Sequence, residues 1–144
     1  MSDRKTREFE RRERDILDST LELLSGEHWE TLSVDKIARH TGIGKGTIYK
    51  HFKCKDDIYA HLLVDNCEQK LTELKRFLAD ESLTGVQQMR SMLLYAFSYH
   101  RDNAAHQHMH IHFRQSAYRE QISDIYLQQM NSAEEQFAEL FEQA

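Results

Sequence analysis

Six cationic side chains (Lys36, Arg39, Lys45, Lys50, Lys53 and Lys55) stand within residues 35–55 against one carboxylate, Asp35. Ser33, Gly46, Thr47, Tyr49 and His51 lie beside or between them. Cations and hydroxyls in this mixture are ligands for phosphate oxygens and base edges. Thr47 and Tyr49 offer hydroxyls, and Lys45 and Lys50 offer charge. Gly46 has no side chain and would let its helix approach a groove floor or a thymine methyl. The net charge of −5 would by itself speak against nucleic acid, but it is unevenly placed. Residues 1–64 carry twelve basic and twelve acidic side chains, and residues 65–144 carry seven and twelve. A basic tip on an acidic body is the electrostatic footprint of a module that faces DNA. The bland alternative, a solvated face on a small bundle, leaves the glycine and the short polar residues at the helix tip unexplained.

The spacing of apolar residues says how such a tip would be held. From about Arg7 to Ser25, Ile16, Leu17, Thr20, Leu21 and Leu24 recur at helical spacing, with Gly26 suited to a left-handed close. Residues 1–7, with Arg4, Lys5 and Arg7, read as a polar arm, either frayed or reaching phosphate or a minor groove. Trp29 reads as a core plug. Ser33 suits an N-cap for a helix with Val34, Ile37 and Ala38 inward, and Gly42 ends that helix. After a short turn, Lys45 to Phe52 forms a second helix, its core face made by Ile48 and Phe52. Lys45, Gly46, Thr47, Tyr49, Lys50 and His51 are thereby left outward. Two short helices around a glycine turn predict a helix-turn-helix that places a helix in the major groove.

The run TGIGKGTIYKHFKCKDDIY resembles the recognition segment of TetR-family transcriptional regulators, and the stretch from Trp29 to Ala38 matches upstream. The resemblance covers about Asp15 to Leu63; beyond it only helix order and lengths are similar. It implies backbone-contacting roles for Ser33, Tyr49 and His51. It places Lys45, Gly46, Thr47 and Lys50 where the family reads bases or adjacent phosphates. Lys55, at the start of the fourth helix, would hold a phosphate with side chain and amide together. Cys54 departs from the usual serine or asparagine cap. Beside Lys53 and Lys55 its thiol would be favoured as a thiolate.

A long helix follows from Lys55 to about Asp80, its stripe made of Ile58, Leu62, Leu63, Cys67, Leu71, Leu74 and Leu78. Thr84 or Ser82 can cap the next, which runs from about Val86 to His100 with Met89, Met92, Leu93, Ala96 and Phe97. Met and aromatic residues at helical spacing make either core or, as the resemblance implies, the wall of an effector cavity. The residues expected there are Met89, Met92, Phe97, His110 and Phe113. The run HQHMHIHF alternates with period two, as a strand would. A lone strand has no partner in a helical chain, so helix is the expectation. It would pair His106 with His110 and His108 with His112. Either pair could supply two ligands to zinc or copper, but no third is identifiable, so the expected metal set is empty. Tyr118 to Ser123 reads as a turn and Asp124 begins a last helix.

With 144 residues, no proline and five glycines, the chain is expected to be all-α. The expected architecture is a three-helix DNA-binding head over residues 1–54, a long linking helix and a partial helical bundle. Residues 55–144 would form an effector-binding and dimerisation body, truncated at its C-terminus. No apolar run approaches the ~20 residues that span a bilayer, and no secretory signal opens the chain. Two cysteines fit a reducing compartment, so a cytoplasmic location is expected. No nucleophile–base pair, phosphate loop or zinc-protease signature points to an enzyme, and no cofactor is implied. The expected partners are double-stranded operator DNA, a mainly apolar small-molecule effector and a second copy of the chain, with no membrane. The expected function is a ligand-responsive repressor on a pseudo-palindromic operator. The alternative is a metal or redox sensor using the His106–His112 cluster or Cys54.

Overall fold

The computed structural model describes residues 2–143, except for the side chains of residues 104–107, 110 and 116. Helices fill most of that span, with no strand among the described residues. The chain divides into two compact units, residues 1–58 and 59–144, with the boundary inside the fourth helix.

In the first unit, α1 (Asp3–Leu24) begins well before Arg7 and takes up the expected polar arm. The cause is local. Asp3 complements the helix dipole from the first turn, and its carboxylate accepts from Arg7 Nη2 at 2.8 Å, an i,i+4 pair. The helix does not close on a left-handed glycine either. Ser25 is right-handed, and among the described residues only Gly42 has a positive φ. A 3-10 turn (Trp29–Thr31) then buries Trp29. Next come α2 (Val34–Thr41) and α3 (Lys45–His51). Ile16, Leu17, Leu32, Ile37, Ile48 and Phe52 interlock as the core of this unit, each almost wholly shielded from water. Such apolar burial supplies about 1.5–3 kcal/mol per large side chain.

α4 (Lys55–Leu78) starts in the first unit and runs on as the longest element of the second. Ile58, Leu62, Leu63, Cys67, Leu71 and Leu74 are buried along it, as their spacing requires. α5 (Gly85–Asp102) begins with a capping box. Thr84 Oγ1 accepts from the Gln87 amide, and Gln87 Oε1 accepts from the Thr84 amide at 2.9 Å. α6 (Ala104–Phe113) confirms that the histidine run is helical despite its period of two. A four-residue helix, α7 (Ser116–Arg119), overlaps the start of the expected turn. α8 (Asp124–Gln143) buries Met130, Ala133 and Leu140. Met92, Met109 and Phe113 complete the core with the α4 stripe.

Candidate nucleic-acid interface

The interface is built from caps first. Ser33 Oγ accepts from the Lys36 amide at 3.2 Å and opens α2. Its own O–H stays available to donate outward. Gly42, at φ 76°, closes α2. The Gly42 amide donates to the Arg39 carbonyl at 3.2 Å, and the Ile43 amide to the Ala38 carbonyl at 3.0 Å. This is the closing pattern that needs a left-handed residue. The chain then turns within two residues into α3, which Ile48 and Phe52 anchor from below.

That anchoring fixes what α3 presents. Lys45, Gly46, Tyr49 and Lys50 are exposed and Thr47 is half-buried. A Cβ built on Gly46 meets nothing within 4 Å. The open space over it is therefore not required by the fold. Lys45 Nζ lies 3.2 Å from Asp35 Oδ2, and Lys36 Nζ lies 2.7 Å from Glu27 Oε2. The Lys36 ammonium, hydrogen-bonded to Glu27, holds that carboxyl below its ordinary range. Arg39, Lys50 and Lys53 are exposed and have no ion-pair partner among the described residues. Exposed pairs contribute ~0–1 kcal/mol, so phosphate can displace their carboxylates.

Two expected contacts are placed otherwise. His51 does not face outward. Its side chain is 3% exposed, its ring stacks on Phe9 with centroids 4.0 Å apart, and Nδ1 lies 3.7 Å from Glu13 Oε2. His51 follows Ile48 by three residues, which puts it only about 60° off the buried face. Lys55 turns inward too. Its Nζ donates to the Leu32 carbonyl at 2.8 Å and the Trp29 carbonyl at 3.0 Å, and lies 4.6 Å from the Trp29 ring centroid. An ammonium that satisfies two loop carbonyls is a structural tie, and only the helix start remains for a phosphate.

Cys54 corrects the thiolate expectation. Partial burial pushes its thiol up, a hydrogen bond from the Asp57 amide works against that rise, and the Asp57 and Asp56 carboxylates add to it, so the thiol stands above its ordinary value. Among the described residues no group of three or more metal-ligating side chains comes together. His106 and His110 lie outside the described side chains, His108 is exposed, and the half-buried His112 ring packs 4.1 Å from Tyr118.

The residues expected to line an effector cavity separate. Met92 and Phe113 are buried and Met89 is half-buried, but Phe97 is 75% exposed, and His110 lies outside the described side chains. α5 is apolar on several faces, so its sequence alone could not say which one turns inward. The second unit does hold a cavity of about 520 Å³. Cys67, Phe113, Met130 and Phe137 form its apolar wall, and Arg114, Arg119 and Glu134 its polar side. Of the expected residues whose side chains are described, only Phe113 contributes. The two arginines carried a readable signal, being the only cations between residues 102 and 144.

Comparison with known proteins agrees with this geometry. Residues 16–62 match the family model described as bacterial regulatory proteins, tetR family. The chain is 28% identical over 121 residues to the HTH-type transcriptional regulator SAB2452 of Staphylococcus aureus (strain bovine RF122 / ET3-1), covering 80% of this chain and 65% of that protein. It is 29% identical over 110 residues to SAUSA300_2515 of S. aureus strain USA300, covering 72% and 59%. The chain thus spans about three fifths to two thirds of the length of these relatives. Among solved structures, the transcriptional regulator FadR from Bacillus subtilis in complex with stearoyl-CoA shares the fold with a TM-score of 0.67 at 21% identity, over 88% of this chain and 65% of that one. A putative fatty acid metabolism regulator from Clostridium perfringens does so with a TM-score of 0.64 at 17% identity, over 90% and 69%. Residues 16–62, which hold the helix-turn-helix and the residues it exposes, carry the signature of the tetR family of bacterial regulatory proteins.

Proposed function

We propose that the protein is a sequence-specific DNA-binding transcriptional regulator, a repressor that acts as a dimer on a pseudo-palindromic operator and is released by a small-molecule effector. The observation that carries the reading is α3, which exposes Lys45, Gly46, Tyr49 and Lys50 while Ile48 and Phe52 fix it from behind. A helix held so, after a glycine-closed turn, enters a major groove with its N-terminal residues toward the bases. Ser33, Thr47 and the start of α4 at Lys55 flank it with donors for phosphate. His51 then acts through the packing of α3 on α1.

Residues 1–54 serve as the DNA-reading head and residues 55–144 as the effector-binding and dimerisation body. The B. subtilis FadR, a similar fold in complex with stearoyl-CoA, supports a body that accepts a small molecule with much apolar surface. An effector of that kind works by preferring a head spacing that no longer fits two grooves. Among the described residues no helix is long and apolar enough to cross a membrane. A regulator of DNA belongs in the cytoplasm and needs no catalytic step and no cofactor.

The test is selection of bound duplexes from a random DNA pool, then anisotropy titrations at several salt concentrations. Lys50→Ala should weaken binding to every duplex and lower the salt slope by about one phosphate. Tyr49→Phe should weaken it too, with the helical content unchanged. Parental affinity in both variants at matched salt overturns the reading.

A further inference from the structure

The cavity of the second unit holds an arginine whose strongest recognition edge is half used. Arg119 Nη2 lies 3.3 Å from Glu134 Oε1, while Arg119 Nε is shut off from solvent and has no hydrogen-bond partner among the described residues. Nε and Nη2 form the side-on edge of a guanidinium, which matches the two oxygens of one carboxylate. Glu134 meets that edge through one oxygen only, in a pair whose members are 38% and 55% exposed. A pair so exposed contributes little and is readily exchanged. Behind it the wall is apolar: Phe113, Met130 and Cys67 are buried, and the Arg119 guanidinium stands 5.3 Å from the Phe113 ring centroid. Arg114 lines the same cavity as a second cation. The volume, about 520 Å³, falls within the ~300–1,000 Å³ of small-molecule sites.

From this geometry we infer that the cavity takes an organic carboxylate with an apolar body. The headgroup sits on the Nε and Nη2 edge of Arg119 in place of Glu134, and the body lies against Phe113, Met130 and Phe137. The inference rests on the effector-responsive part of the function proposed above, and gives that effector a chemical class and an anchor. A neutral alcohol of the same shape offers that edge a single uncharged acceptor, a weaker partner than the two oxygens of a carboxylate. Glu134 has two roles: it neutralises Arg119 in the empty site and competes with the incoming headgroup.

Calorimetric titration of the 144-residue chain decides the matter, using decanoate and 4-phenylbutyrate, each beside its neutral alcohol. At least one acid should bind tighter than its alcohol by about tenfold or more, the ratio one charge-assisted contact supports. Arg119→Gln should remove that preference and leave alcohol binding alone. Glu134→Gln should tighten the acid several-fold and leave the alcohol unchanged. Should Arg119→Gln fail to fold by circular dichroism, Arg119→Lys keeps the charge, loses the fork and should lose most of the preference. Neither acid bound more tightly than its alcohol, or a preference that survives loss of the Arg119 fork, overturns the inference. These titrations contain no DNA, so failure of the chain to bind any duplex would overturn the proposed function without touching this result.

Discussion

Lys55 caps Trp29: its ammonium lies 4.6 Å from the centre of the indole and donates to the Trp29 carbonyl at 3.0 Å. The same nitrogen reaches the Leu32 carbonyl at 2.8 Å, so one side chain ties the start of α4 to the loop before α2. Replacing Lys55 with Met should destabilise the head by about 1–3 kcal/mol, through carbonyls left without a donor and a lost cation–π contact. The salt slope of DNA binding should stay at the parental value, because this ammonium is not a phosphate ligand. Urea unfolding and the salt series check the two halves separately. A slope reduced by about one would return Lys55 to the phosphate contacts.

Gly42 and Gly46 should answer oppositely to alanine. Gly42 stands at φ 76°, so Gly42→Ala should cost about 1–2 kcal/mol of stability. At Gly46 a Cβ meets nothing within 4 Å, and alanine in a helix is favoured by about 0.5–1 kcal/mol. Gly46→Ala should therefore leave stability unchanged or raised while weakening operator binding. Thermal melts set beside anisotropy titrations separate the two positions.

The stack of His51 on Phe9 joins the last residue of α3 to α1. A double-mutant cycle with Phe9→Ala and His51→Ala should show a coupling of about 0.5–1.5 kcal/mol in urea unfolding. His51→Phe should keep most of that stability and remove the buried Nδ1 that has no hydrogen-bond partner. Additive single-mutant losses would mean that the two rings do not support one another.

Acid should weaken the loop between α1 and α2 through Glu27. Its folded pKa is lowered, first by the hydrogen bond from Lys36, so its contribution is complete above the unfolded carboxylate value. That contribution disappears as pH falls from about 4.5 through the lower folded value. The difference in Tm between the parent and Lys36→Met should be present at pH 7 and shrink below pH 4.5. A difference that holds constant down to pH 3 would remove this pair from the acid response.

Much of the head can be read from residue order, because its determinants are local. Ser33 caps its own helix, Gly42 supplies the left-handed turn that closes α2, and Ile48 and Phe52 lie four apart on one face. His51 and Lys55 could not be read that way. Their directions are set by Phe9, Glu13, Trp29 and Leu32, up to 42 residues earlier in the chain, and long amphipathic side chains can turn to either side. The start of α1 is hidden by its charge density, which resembles disorder until the Asp3–Arg7 spacing is counted. In the body, α5 offers apolar residues on nearly every face, so burial of Met92 and exposure of Phe97 depend on neighbours that spacing does not name. The cavity draws on α4, on α8 and on the segment from Phe113 to Arg119, and no local pattern joins them.

Lys36 and Lys45 are held by Glu27 and Asp35, carboxylates of their own unit. An internal anion is always present at high effective concentration and never diffuses away. Any stretch of DNA must outcompete it at both lysines before it gains their charge. A weakly matched sequence, touching phosphates alone, recovers little for that exchange and is let go quickly. A matched operator adds base contacts that hold the helix in place while the carboxylates stay displaced. If α3 reads DNA as proposed, the two acids would set a small threshold that shortens dwell on unmatched sequence.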